Sequence, residues 1–219
     1  MRKNGIRNNN KGFTLVEMII VLVILAILAA ILIPTLLGYI DESKEKQYLL
    51  NAKNCLNAAQ AELTKLYAAK DKIPDEGYDV ITGKKSTAKN GDTDLTGTDF
   101  AKRVLELADA DPYCFMIATG SNFTGTKDKC TEHDKYTVIF AYYVEELTAT
   151  QWFYYNGEWS KLAPRDKNKN GYANADNYIL SGNLKGKRLQ YFLVSNKSKT
   201  TFANLWPWIK HEKDKPDKP

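Results

Sequence analysis

The chain has 219 residues, 43% hydrophobic and 26% charged, with a formal net charge of +5. That length accommodates one membrane segment plus one domain with a real core. The charge indicates no overall electrostatic footprint for DNA, local basic patches aside, because Arg2, Lys3, Arg7 and Lys11 supply most of it: taking those four from the 31 basic side chains leaves 27 against 26 acidic ones.

The chain opens with those four basic residues and no acid. From Phe13 to Ile40 there follows a run whose one charged side chain is Glu17, long enough to span a bilayer as a helix. The positive-inside rule keeps the leader in the cytoplasm and sends the rest outward. A secretory signal peptide would have an apolar region of about 7–15 residues and a small-residue cleavage site after it. Neither it nor a plain signal anchor has a use for Glu17, since a carboxylate in a membrane helix costs about 2.5–3.5 kcal/mol and needs a partner.

Lys11-Gly12-Phe13-Thr14-Leu15-Val16-Glu17, with the basic leader before it and the apolar run after it, resembles the class III signal of type IV prepilins. The resemblance implies that a prepilin peptidase cuts between Gly12 and Phe13 and that the new N-terminus is methylated. Pro34 and Gly38 stand where pilins interrupt the first helix, and Pro34, which lacks a backbone donor, is expected to kink or locally melt it. Cleavage would free an amine on Phe13, one helical turn from Glu17 and on the same face. Between neighbouring helices the amine of one chain can meet the carboxylate of the next, setting axial register in a helical filament, a heterologous contact that does not close. Glu17 is thus expected to be an assembly residue. The partners implied are other pilin subunits, the peptidase, a pilus assembly platform and the plasma membrane.

Beyond Pro34, residues 41–46 are polar on all sides, and Leu49, Ala52, Leu56, Ala59, Leu63 and Leu66 then form one apolar stripe. The helix should end near Asp71, giving about 59 residues and about 88 Å at 1.5 Å per residue. Residues 77–98 read as a connecting loop. Within it Gly83-Lys84-Lys85-Ser86 imitates a phosphate-binding loop, but the glycine spacing is wrong and no apolar strand precedes it. Asp99 is placed to cap a short helix from Phe100 to Ala108. Strands are expected at Tyr113–Ala118, Tyr136–Val144 and Arg188–Val194, with a type I′ hairpin at Trp152–Tyr155, Asn156-Gly157 and Glu158–Leu162. The fold class is α+β, a long N-terminal helix packed on a small antiparallel β-sheet of three or four strands, which is the architecture of pilins. The divisions are a cleaved leader at 1–12, a membrane and filament-core helix at 13–40, an extracellular domain at 41–210 and a flexible tail at 211–219.

Three cysteines leave one over if any two pair outside the cell. A Cys114–Cys130 disulfide with Cys55 buried as a small hydrophobe is one reading. Another joins Cys55, Cys114, Cys130 and His133 in a tetrahedral structural zinc site. The third leaves three unconnected thiols and an ordinary loop histidine. Asp166, Asn168, Asn170 and Asp176, with Gly171 at the turn position, resemble a calcium loop, although position five is neutral and the closing acid stands one place early. The alternative is a polar turn. The aromatic segment Phe202–Ile209 reads as a terminal segment docked on the sheet, or alternatively as an exposed adhesive patch.

Catalysis gets no support. There are two histidines, no nucleophile elbow, no HExxH and no dinucleotide fingerprint, and Glu145 and Glu146 are strand neighbours that face opposite sides. The function expected is a structural subunit of a type IV pilus for adhesion, aggregation or motility, without a required cofactor. The alternatives are a pseudopilin of a type II secretion or DNA-uptake system, and a monomeric membrane-anchored extracellular binding protein.

Overall fold

A computed structural model of the chain describes residues 12–69, 81, 93–120, 130–161 and 189–197, and the backbone alone of 165–166 and 171–172. The chain forms two units, residues 1–45 and 46–219. One helix, α1 (Leu15–Ala68), supplies the described helical residues of the first unit and runs on into the second.

In the first unit every large apolar side chain from Phe13 to Ile40 is exposed. The most apolar 18-residue window of α1 has a mean hydropathy of 3.3 with none of it buried, so α1 is long and apolar enough to cross a membrane. Of the expected kink or local melting at Pro34, the melting does not occur: α1 continues through Pro34 unbroken. The Thr35 hydroxyl donates to the Leu32 carbonyl at 2.8 Å, giving one oxygen in this turn a side-chain donor.

The second unit is built on a six-stranded sheet. Its strands are β1 (Thr93–Asp94), β2 (Cys114–Gly120), β3 (Phe140–Val144), β4 (Trp152–Tyr155), β5 (Glu158–Ser160) and β8 (Leu189–Asn196). A separate hairpin pairs β6 (Arg165–Asp166) with β7 (Gly171–Tyr172). The order in the large sheet is β1-β8-β2-β3-β4-β5. All its pairs are antiparallel except β1 with β8, so the sheet is larger than the expected meander and mixed. Strand β8 lies inside this sheet, between β1 and β2. Seven of its eight residues are buried, which is what an apolar run with weak alternation describes.

The hairpin at Asn156-Gly157 forms as expected, with φ of 54° and 84° at the two turn residues. The expected strand from Tyr136 begins only at Phe140. A one-turn helix, α3 (Glu132–Lys135), precedes it, and the Gln60 side chain from α1 takes the place of a ladder neighbour. Its Nε2 donates to the Tyr136 carbonyl and its Oε1 accepts from Val138 N–H, both at 2.9 Å. Helix α2 (Asp99–Ala108) is capped by Thr98, not Asp99: the Thr98 hydroxyl accepts from Ala101 N–H at 3.3 Å. Asp99 instead lies in the first turn, where a negative charge suits the helix dipole.

One face of the sheet packs on α1 and α2, with Phe115, Ile117, Ala141, Tyr143, Phe192 and Val194 facing the helices. The stripe α1 buries is Ala52, Cys55, Ala58, Ala59, Glu62 and Leu63, while Leu49, Leu56 and Leu66 are its half-buried flanks. Small residues at the centre of the stripe bring helix and sheet backbones close. Gly120 ends β2 for a similar reason. A Cβ there would lie 2.8 Å from Asp134 Cβ and 2.9 Å from its carbonyl carbon.

Candidate processing and assembly site

Helix α1 starts at Leu15 because Thr14 caps it. Thr14 Oγ1 accepts from Glu17 N–H at 3.3 Å, and Glu17 Oε2 accepts from both Thr14 N–H and the Thr14 hydroxyl at 2.8 Å. This is a reciprocal capping box, a device that satisfies donors at a helix start which have no intrahelical partner. Its signature, Thr-x-x-Glu before an apolar run, is legible in the residues, but the reading of Glu17 as a charge partner passed over Thr14. The carboxylate thus has two local donors and a position in the first turn, where the dipole favours negative charge. Among the described residues, Oε1 accepts no hydrogen bond.

Gly12 and Phe13 precede the cap and are non-helical and exposed, Phe13 at 81%. A Cβ on Gly12 would meet nothing within 4 Å. The folded chain therefore makes no demand for glycine at this position, and any demand comes from whatever binds the backbone here. The bond between Gly12 and Phe13 sits in open backbone immediately before a fixed helix start. Thr14 and Glu17 are hydrogen-bonded to each other and Phe13 directly precedes Thr14 in the chain, while Pro34 lies several turns further along the helix.

The expected zinc ligands do not converge. Cys55 belongs to the cluster between α1 and the sheet, and Cys114 to the cluster on the opposite sheet face. Alternation along β2 is the reason: Phe115 and Ile117 point at the helices, so Cys114 and Met116 point away. His133 is on α3, with Nδ1 3.3 Å from the Thr137 hydroxyl. It lines a cleft of about 160 Å³ with Gln60, Thr64, Tyr67, Tyr136 and Thr137. Among the described residues no group of three or more His, Cys, Asp or Glu side chains is placed to hold a metal. The expected Cys114–Cys130 disulfide is absent as well. Burial pushes the pKa of the Cys55 and Cys114 thiols up to about 12, so both are protonated in this core. Of the calcium-loop residues, Asp166 pairs with Gly171 in the β6–β7 hairpin, and Asn168, Asn170 and Asp176 lie outside the described residues.

A further acid was missed by sequence reasoning. Glu62 is buried in the α1 stripe, 4% exposed. Lys65 Nζ reaches its Oε1 at 2.5 Å and Arg103 Nε, from α2, reaches its Oε2 at 2.8 Å. Burial alone would raise its pKa, but the two cationic donors outweigh it and hold the carboxyl below the ordinary range. Its position on the apolar stripe was readable, but its partner 41 positions away was not.

Residues 7–33 match the family model of the prokaryotic N-terminal methylation motif. No curated protein and no solved structure matches the chain.

Proposed function

We propose that this type IV pilin-like prepilin, whose methylation motif heads a long apolar helix, is a structural subunit of a type IV pilus. The helix holds it in the plasma membrane, a prepilin peptidase removes residues 1–12, and the amine on Phe13 is methylated. The subunit then joins other pilin subunits, through an assembly platform, in a helical surface filament that serves adhesion, aggregation or motility. The methylation motif is that of a structural class, and on this reading the role needs neither catalysis nor a cofactor.

The observation that carries the proposal is one helix with two surfaces. Its first part exposes a long, nearly unbroken run of apolar side chains with a single capped carboxylate, and its second part buries a stripe beneath a sheet. A surface of the first kind is stable in lipid or against like helices, and a filament core offers the second environment once the subunit leaves the first. Glu17 then has two duties. Oε2 closes the capping box within its own chain, and Oε1 remains for a cationic amine, which cleavage supplies on Phe13.

Shearing intact cells and comparing the sheared material with membranes by immunoblot tests this role. A pilus subunit is released in the sheared fraction at the size of the processed chain. A processed chain confined to membranes contradicts the pilus reading and assigns the chain to a pseudopilin of a type II secretion or DNA-uptake system. Retention of the unprocessed chain identifies a membrane-anchored binding protein.

A further inference from the structure

Gln60 on α1 holds the backbone of Tyr136 and Val138 beside the helix, and the cleft of about 160 Å³ that includes His133 lies at this seam. Two of its lining residues are aromatic. Tyr67 and Tyr136 meet edge to face, with ring centroids 5.3 Å apart and an interplanar angle of 60°. Tyr136 is buried and Tyr67 is 57% exposed. The buried ring anchors the exposed one, which leaves aromatic surface open at the cleft.

The polar lining has its hydroxyl protons turned inward. The Thr64 hydroxyl donates to the Gln60 carbonyl and the Thr137 hydroxyl to the His133 carbonyl, each at 2.7 Å. A hydroxyl has one proton, so toward the His133 ring, 3.3 Å away, Thr137 Oγ1 can only accept. Nδ1 therefore carries the ring proton, and Nε2 of the neutral imidazole is left as an acceptor. Neither Nε2 nor the Tyr67 hydroxyl has a hydrogen-bond partner among the described residues. The acids of α3 are engaged elsewhere: Glu132 pairs with Lys135 at 2.6 Å, and Asp134 closes the capping box with Thr131.

We infer that this cleft is a carbohydrate site that holds one neutral sugar residue. The open aromatic surface matches the C–H face of a sugar ring, and Nε2 and the Tyr67 hydroxyl oxygen can accept its hydroxyl protons. A cationic group would also stack on the rings, but it would find the two α3 acids already engaged and a histidine that becomes positive on protonation. The volume is below the about 300 Å³ at which pockets for drug-sized ligands begin, which limits the occupant to a single ring or the end of a chain. The site belongs to the second unit alone and stands whether or not the chain enters a filament.

The experiment uses the full chain in a polyoxyethylene detergent, which carries no sugar, and saturation-transfer NMR. The probes are the methyl glycosides of glucose, galactose, mannose and N-acetylglucosamine, with choline as the cationic comparison. At least one glycoside is expected to bind with a Kd on the order of 1 mM, as suits so small a contact. Tyr67→Ala and His133→Ala should each weaken that binding by about tenfold with the thermal unfolding curve unchanged. If Tyr67→Ala disturbs the fold, His133→Ala, at an exposed residue, decides alone. No transfer to any glycoside at about ten times the expected Kd overturns the inference. Binding that His133→Ala leaves intact overturns it as well, because the sugar then sits elsewhere. Choline binding in place of every glycoside makes the cleft a cation site and also overturns it. None of these outcomes bears on the pilus role, which is read from processing and shearing.

Discussion

Glu17 and Glu62 are acids on the same helix whose neighbours give them different duties. Glu17 sits where α1 begins, and its two donors come from Thr14, three positions away. Glutamine can close the same capping box without the charge. Glu17→Gln is therefore expected to keep the helix start, to insert and to be processed, but to be absent from sheared filaments. Filament levels equal to the parent would show that the cap, not the charge, is what assembly needs. Glu62 holds α2 to α1 through Arg103. Arg103→Ala leaves a buried carboxylate with Lys65 alone and should destabilise the second unit by about 1–3 kcal/mol in denaturant unfolding. The sign with pH follows from a folded pKa below the ordinary 4.5. The contribution is complete above that value and is lost as pH falls through the folded one. Stability curves of the parent and of Arg103→Ala should accordingly converge on acidification; a constant gap down to the acid transition would contradict the assignment. Gly12 is the third residue of note, since the fold leaves room for a side chain there. Gly12→Leu should leave insertion intact and accumulate the unprocessed chain on immunoblots. Normal processing would remove the peptidase as the source of the demand for glycine.

At the scale of elements, the local signals were legible and the non-local ones were not. The 13–40 run, the Asn156-Gly157 turn and the short amphipathic helix after residue 98 each carry their own pattern, so each was readable in place. The cap of α2 was displaced by one residue because Thr98 and Asp99 are both good caps and only backbone geometry distinguishes them. Thr98→Ala should cost about 1 kcal/mol, and Asp99→Asn much less, by thermal unfolding. Equal losses would return the cap to Asp99. The start of β3 was misplaced because Gln60, 76 and 78 positions from its partners, supplies the hydrogen bonds expected from a strand. Strand β1 has two residues and no pattern of its own; its parallel pairing with β8 joins segments about a hundred positions apart. Gly120 was likewise unreadable, because its reason is the close approach of Asp134 and not a turn. Gly120→Ala should destabilise the unit by about 1–3 kcal/mol through overpacking against backbone.

For the whole molecule, the N-terminal methylation motif was the most legible part, because it lies within one continuous stretch, matched over residues 7–33. The zinc arrangement failed for a topological reason: strand alternation sends Cys114 away from the helix that carries Cys55, whatever their compatibility as ligands. The pilin architecture of one long helix and a sheet holds in outline, enlarged by β8 inside the sheet and by its parallel pairing with β1. The central proposal is that residues 1–12 are a leader and that Phe13 begins the working protein. Intact mass and N-terminal peptide mass of the protein from its native cells test this most directly. A chain beginning at Phe13 with one added methyl group is the result the account predicts. Functional protein that still carries residues 1–12 would contradict it.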